Sequence, residues 1–216
     1  ESDSINMGGG LGTSTSYTLE STLGEAASGI SSSTSYTLSA GYQQTLVNYL
    51  SLSSPADVTM SPSLGGVTGG TANGAAVVTV TTDGSAGYQL SIKASTSPAL
   101  QKGVDTIADY VPAGANPDFS FTTSVGAGYF GFSPEGTDIH ARYKDDGALC
   151  SVGSGDVSFS CWDGLSTSDR TIAASTNANH PAGTDTTIRF RTGLGANSGI
   201  VDGTYIGTTT LTALAL

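Results

Sequence analysis

Apolar and polar residues alternate along most of this chain with a period of two. In "AAVVTVTTDGSAGYQLSIKAS", Val78 and Val80 alternate with Thr79 and Thr81, and Tyr88, Leu90, Ile92 and Ala94 line one face of the next segment. That period predicts strands with one face on a core and one toward water. Asp83 and Gly84 predict the turn of a hairpin between the two strands. Further runs are "DFSFTTSV", "GYFGFSP", "TDIHARY", "DVSFSCW", "TTIRFRT" and "GTYIGTTTLTALAL", separated by Gly, Pro, Asn and Asp. Many short strands at this spacing predict an all-β fold, an antiparallel β-sandwich of immunoglobulin-like or jelly-roll type. One stretch departs from the period. In "PALQKGVDTIADYV", Leu100, Val104, Ile107 and Val111 fall at helical spacing, and Gly103 interrupts them, so a short helix or a turn is expected.

The hexamer "STSYTL" occurs at residues 14–19 and again at 33–38. In the first copy Tyr17, Leu19 and Leu23 share a face, and in the second Tyr36, Leu38 and Tyr42 do so. Two such strands cannot bury these stripes alone, since an isolated hairpin is marginal in water. Residues 1–50 are therefore expected to form an extended N-terminal β arm, with glycine- and serine-rich spacers around the copies. Residues 51–216 are expected to form the sandwich, with "SLSSPADV" as the hinge. The arm needs a sheet to lie on, either its own or that of a neighbouring copy of the chain.

Composition narrows the setting. Charged residues are 12% of the chain, against about 25% in an average globular protein, so Ser, Thr, Gly and Asn must cover the surface. The net charge of −11 repels a phosphate backbone, which argues against nucleic-acid binding. No apolar run reaches the roughly 18 residues of a membrane-spanning helix. The sequence opens on Glu1 rather than Met, which fits removal of a signal peptide. Cys150 and Cys161 bracket "CSVGSGDVSFSC", whose central turn signals suggest a hairpin joined by a disulfide. Closing so short a loop stabilises by roughly 3 kcal/mol in the chain-entropy treatment. A disulfide implies an oxidising, extracellular location; two buried free thiols are the alternative.

Catalytic signatures are sparse. His140 and His180 are the two histidines, and no Gly-x-Ser-x-Gly elbow is present, so the chain reads as a non-enzyme without a cofactor. Glu135, Asp138, Asp145 and Asp146 are the carboxylates available for glycoside chemistry, but "KDDG" at residues 144–147 is more simply a turn. Calcium at Asp145 and Asp146, or near Asp163, is the alternative for a hard cation. Trp162 follows Cys161 and should face the opposite way, as a core residue or as a sugar-stacking platform. Arg189 and Arg191 share a face, expected to be solvent, with acidic partners.

The segment "SYTLESTLGEAASGISSSTSYTLSAGY" resembles one that follows the signal peptide in large secreted surface proteins of environmental bacteria, through Ser-x-Tyr-x-Leu, a Gly after the first strand and a closing Tyr-x-Leu-x-Ala-Gly. "VTVTTDGSAGYQLSIKASTSPAL" resembles the sandwich modules attached to such segments, and "GTYIGTTTLTALAL" resembles the closing strand of pilin-like sandwiches. The resemblance implies a secreted, cell-surface structural role and no catalytic residues. The expected function is a structural subunit of an extracellular filament or pilus-like fibre, a homopolymer built by strand donation, with Tyr17, Leu19, Leu23, Tyr36, Leu38 and Tyr42 as the donor face. The alternative is a monomeric adhesin or carbohydrate-binding module that contacts host or environmental surfaces.

Overall fold

Most of the alternating segments form strands in a computed structural model that describes residues 8–14, 18–23, 29–32, 37–40 and 48–216. The chain divides into two units, Glu1–Asn48 and Tyr49–Leu216. In the first, β1 (Gly8–Thr13) pairs antiparallel with β2 (Thr18–Leu23), and β3 (Gly29–Ser32) with β4 (Thr37–Ala40). The innermost pairs are Thr13 with Thr18 and Ser32 with Thr37. The Thr-Leu that closes each copy of the hexamer opens β2 and β4 respectively. Leu19 and Leu23 fall in β2 and Leu38 in β4, whereas Tyr17, Tyr36 and Tyr42 lie outside the described residues.

The second unit is an all-β sandwich of two sheets. The larger sheet has the order β5-β6-β12-β10-β9-β8. Its members are β5 (Leu50–Leu52), β6 (Gly70–Thr82), β12 (Thr184–Leu194), β10 (Gly128–Glu135), β9 (Asp105–Asp109) and β8 (Leu100–Lys102). The smaller has the order β11-β7-β13, from β11 (Arg170–Ser175), β7 (Tyr88–Ala94) and β13 (Thr209–Ala215). All pairings are antiparallel except β9 with β10. The inward residues of the strands fill one core: Val78 and Val80 from β6, Leu90 and Ile92 from β7, Phe132 from β10, Ile172 from β11 and Ile188 from β12. Each of these side chains is at most 1% exposed. Burying one such side chain contributes roughly 1.5–3 kcal/mol, so this row carries much of the stability.

One local expectation gives way to the topology, and an open one is decided by it. β6 and β7 do not form a hairpin; they belong to opposite sheets. Both edges of β6 are already occupied, by β5 and β12, so the chain crosses the sandwich at residues 83–87 instead. Gly87 makes that corner at φ +84, and a Cβ there would lie 2.1 Å from the Ser175 carbonyl oxygen. Of the helix or turn expected over residues 98–111, the turn is present, joining β8 and β9. Lys102 pairs with Asp105 around Gly103, whose φ of +63 suits a two-residue turn. The supposed helical stripe splits accordingly, with Ile107 buried and Val104 and Val111 exposed.

"DFSFTTSV" and "DVSFSCW" are not regular strands. Phe119 and Cys161 still reach the main core, while Phe121 and Trp162 pack together on the other face. Phe121 stacks on Tyr110 at 4.4 Å and meets Trp162 edge-on at 5.4 Å. Cys150 and Cys161 form the expected disulfide, with their Cα atoms 5.6 Å apart. The loop between them is wound around Asp145, which bridges both Cys150 and Gly155, so it is not a simple hairpin.

Candidate functional site: an open strand edge

A sheet edge exposes backbone N–H and C=O groups, and most edges of this sandwich are closed. The outer side of β11 is covered by a neighbouring segment: His140 N–H donates to Ile172 O and Ala174 N–H to Asp138 O, both at 2.8 Å. The outer side of β8 is covered by Ile206, which exchanges two hydrogen bonds with Gln101 at 2.9 and 3.0 Å. β5 is an edge strand of only three residues.

β13 is different. Leu216 N–H donates to Gly87 O, and Thr208 O accepts from Ser95 N–H, so the even-numbered residues of this segment direct their backbone toward β7. Alternation then points the N–H and C=O of Thr209, Leu211, Ala213 and Ala215 away from β7. Among the described residues these groups have no hydrogen-bond partner. The devices that usually protect an edge are missing too. "TTLTALAL" at residues 209–216 contains no charge and no proline, and its ladder with β7 runs without a register shift.

The core is also less closed on this side. β13 lies against β5 across the sandwich. Leu50 and Leu52 of β5 and Leu211 and Ala213 of β13 are half-buried, unlike the fully buried rows beside them. Leu214 and Leu216 are 54% and 53% exposed. The smaller sheet thus presents an uncharged edge above a partly covered apolar margin, with three strands facing six.

The other candidate residues are engaged in holding the fold. Asp163 is 2% exposed and accepts from Arg142 Nε at 3.0 Å, from an Arg170 guanidinium nitrogen and from the Tyr143 hydroxyl at 3.4 Å. Burial, and then the Asp163 charge, raise the Tyr143 phenol above its ordinary range. Asp145 accepts from the Gly147 and Val157 amides, both at 2.8 Å, and Asp146 accepts from those of Ala148 and Leu149. "KDDG" is therefore a turn capped by its own carboxylates. Among the described residues no three metal-ligating side chains converge. His140 is exposed, and its Nδ1 accepts from the Arg142 amide.

Arg189 meets its acidic partner, Glu135, at 2.9 Å. Arg191 does not face open solvent: its guanidinium lies 4.3 Å from the centroid of the Trp162 ring, and Nε donates to Asn73. Trp162 is fully buried against it and, unlike Cys161, is not part of the main core cluster. Sequence reasoning did not find the β13 edge as an acceptor, although a closing strand without a charge was its visible signal. No protein-family model, curated protein or solved structure matches this chain.

Proposed function

We propose that this chain is a structural subunit of an extracellular filament or pilus-like surface fibre, joined to its neighbours by strand addition. The observation that carries this reading is the open edge of β13, with the backbone groups of Thr209, Leu211, Ala213 and Ala215 unpaired on an uncharged strand. A natural monomer blunts such an edge with lysine, proline or a bulge. A strand added here gains main-chain hydrogen bonds of about 1 kcal/mol net each. It also covers the half-buried Leu50, Leu52, Leu211 and Ala213. An acceptor edge and a donor segment in different parts of one chain make a head-to-tail contact, and such contacts propagate unless a ring closes. The disulfide supports an oxidising location outside the cytoplasm.

The test is negative-stain electron microscopy and light scattering on the full chain beside an Ala213→Pro variant. The Ala213 N–H points away from β7, so proline there removes no ladder bond while blocking the edge. Leu214→Lys is a second blocking variant at an exposed position. The proposal expects fibres or concentration-dependent oligomers from the native chain and dispersed particles from both variants. Equal assembly of native chain and variants, or a native chain monomeric at every concentration, would overturn it.

A second reading, a monomeric adhesin module, draws on the disulfide-closed loop. That loop holds Val152, Val157 and Phe159 at 40–43% exposure. Phe159 sits at φ +61 with its ring 4.6 Å from the Arg189 guanidinium carbon, a strained placement for a bulky residue at a surface. Glycan-array binding that is lost in Phe159→Ala, from a chain that never assembles, is the result that would favour it.

A further inference from the structure

The strand-addition reading leaves open which segment fills the edge. Resting on that reading, we infer that the occupant of the β13 edge is β4 (Thr37–Ala40) of a second copy of this chain, delivered by the β3–β4 hairpin. Three observations converge on this segment. β4 is Thr-Leu-Ser-Ala at Thr37–Ala40, and β13 contains Thr-Leu-Thr-Ala at residues 210–213. The two differ only in which hydroxyl residue stands third. A strand that already suits the small sheet, with a leucine and an alanine on one face, is thus written a second time in the N-terminal unit.

The apolar margin is the second observation. Leu38 and Ala40 stand two apart in β4. On β13 the matching face carries Leu211 and Ala213 at the half-buried margin beside Leu50 and Leu52. A leucine and an alanine continue that surface by one strand.

Charge is the third. β2, the rival donor, carries Glu20 within Thr18–Leu23, whereas β4 carries no charge. The chain as a whole is −11, so subunits repel one another wherever acidic residues meet. An uncharged strand on an uncharged edge is the pairing that adds least to this repulsion. Because β4 is already paired with β3, its arrival brings β3 with it. The smaller sheet would then read β11-β7-β13-β4-β3, five strands facing the six of the other sheet.

The decisive experiment mixes two full-length variants. Ala213→Pro has a blocked edge and an intact donor; Leu38→Asp has an intact edge and a spoiled donor. Each alone should run as a monomer in size-exclusion chromatography with light scattering. Mixed in equal amounts they should form one-to-one pairs and nothing larger, doubling the mass. Leu19→Asp, in β2, should assemble like the native chain. Matching melting temperatures across the set confirm that every variant is folded, and Leu214→Lys replaces Ala213→Pro if proline lowers it. If Leu38→Asp still assembles while Ala213→Pro does not, the edge is used but this donor is wrong. A closed dimer of the Leu38→Asp variant would point to β13 pairing with its own copy. If Ala213→Pro and Leu214→Lys both assemble normally, the edge reading fails altogether. A native chain that stays monomeric would overturn both.

Discussion

Replacing Asp163 by Asn removes one charge from a site where three side chains depend on it. Asp163 is 2% exposed, and Arg142 approaches it at 2.9 Å through one terminal nitrogen and 3.0 Å through Nε. Arg170 and the Tyr143 hydroxyl supply further donors. The segment is also tied into the larger sheet, where Asp163 and Phe132 exchange backbone hydrogen bonds, both at 2.9 Å. Asparagine keeps the volume but offers an amide that competes with two guanidinium groups. Removing one partner of a buried ion pair costs about 3–5 kcal/mol. The arginine side chains are 29% and 32% exposed, and water near them offsets part of the loss. The expected cost is therefore about 2–3 kcal/mol. At about 2–4 °C per kcal/mol for a unit of this size, the melting temperature should fall by roughly 4–12 °C. Thermal melts by circular dichroism, with urea titrations to fix the free energy, measure it directly. Arg142→Met should cost less, because Arg170 keeps the carboxylate paired. A loss below about 1 kcal/mol for Asp163→Asn, the range of an exposed pair, would refute the claim that this buried carboxylate holds Arg142, Arg170 and Tyr143 in place.

Replacing both Cys150 and Cys161 by Ser should lower stability by about 3 kcal/mol, read from the shift in the urea midpoint, since the bridge closes a loop of sequence separation 11. The Asp156 carboxyl is held above its ordinary range by burial and by the nearby Glu135 and Asp145 charges, against an opposing hydrogen bond from the Gly136 amide. A raised folded-state value means that its stabilising contribution is full below the unfolded value and declines as pH rises through the folded one. Asp156→Asn should therefore be more stable than native protein at neutral pH, with the gain vanishing in acid; a gain that grows in acid would contradict this. Tyr88 and Tyr143 are both shifted upward, first by burial and then by Asp138 and Asp163 respectively. Alkaline titration followed by near-ultraviolet absorbance should show them ionising only as the chain unfolds.

The strands and the inward rows were legible because period-two alternation is local. Tyr88, Leu90 and Ile92 read as one face from sequence, and they are one face of β7. What alternation cannot carry is which sheet a strand joins. Val78 and Leu90 look like partners across a hairpin, yet they meet from opposite sheets, because β6 already has a neighbour on each edge. Phe121 reads as a strand residue but packs on Tyr110 and Trp162, a surface that only the folded sheet creates. Arg191 followed the same logic: its outward direction was readable, and the Trp162 ring above it was not. The β13 edge lay between these cases. Its lack of charge was on view, but whether its outer groups were paired depends on where every other strand ends.

The central claim, that the β13 edge is where subunits join, is tested most directly by amide hydrogen exchange on the native chain under dispersed and assembled conditions. The account predicts that the Leu211, Ala213 and Ala215 amides exchange fast in the dispersed chain and become protected on assembly. Thr210, Thr212 and Leu214, already directed at β7, should start protected and change little. Assembly that leaves the odd-numbered amides as fast as before would contradict the account.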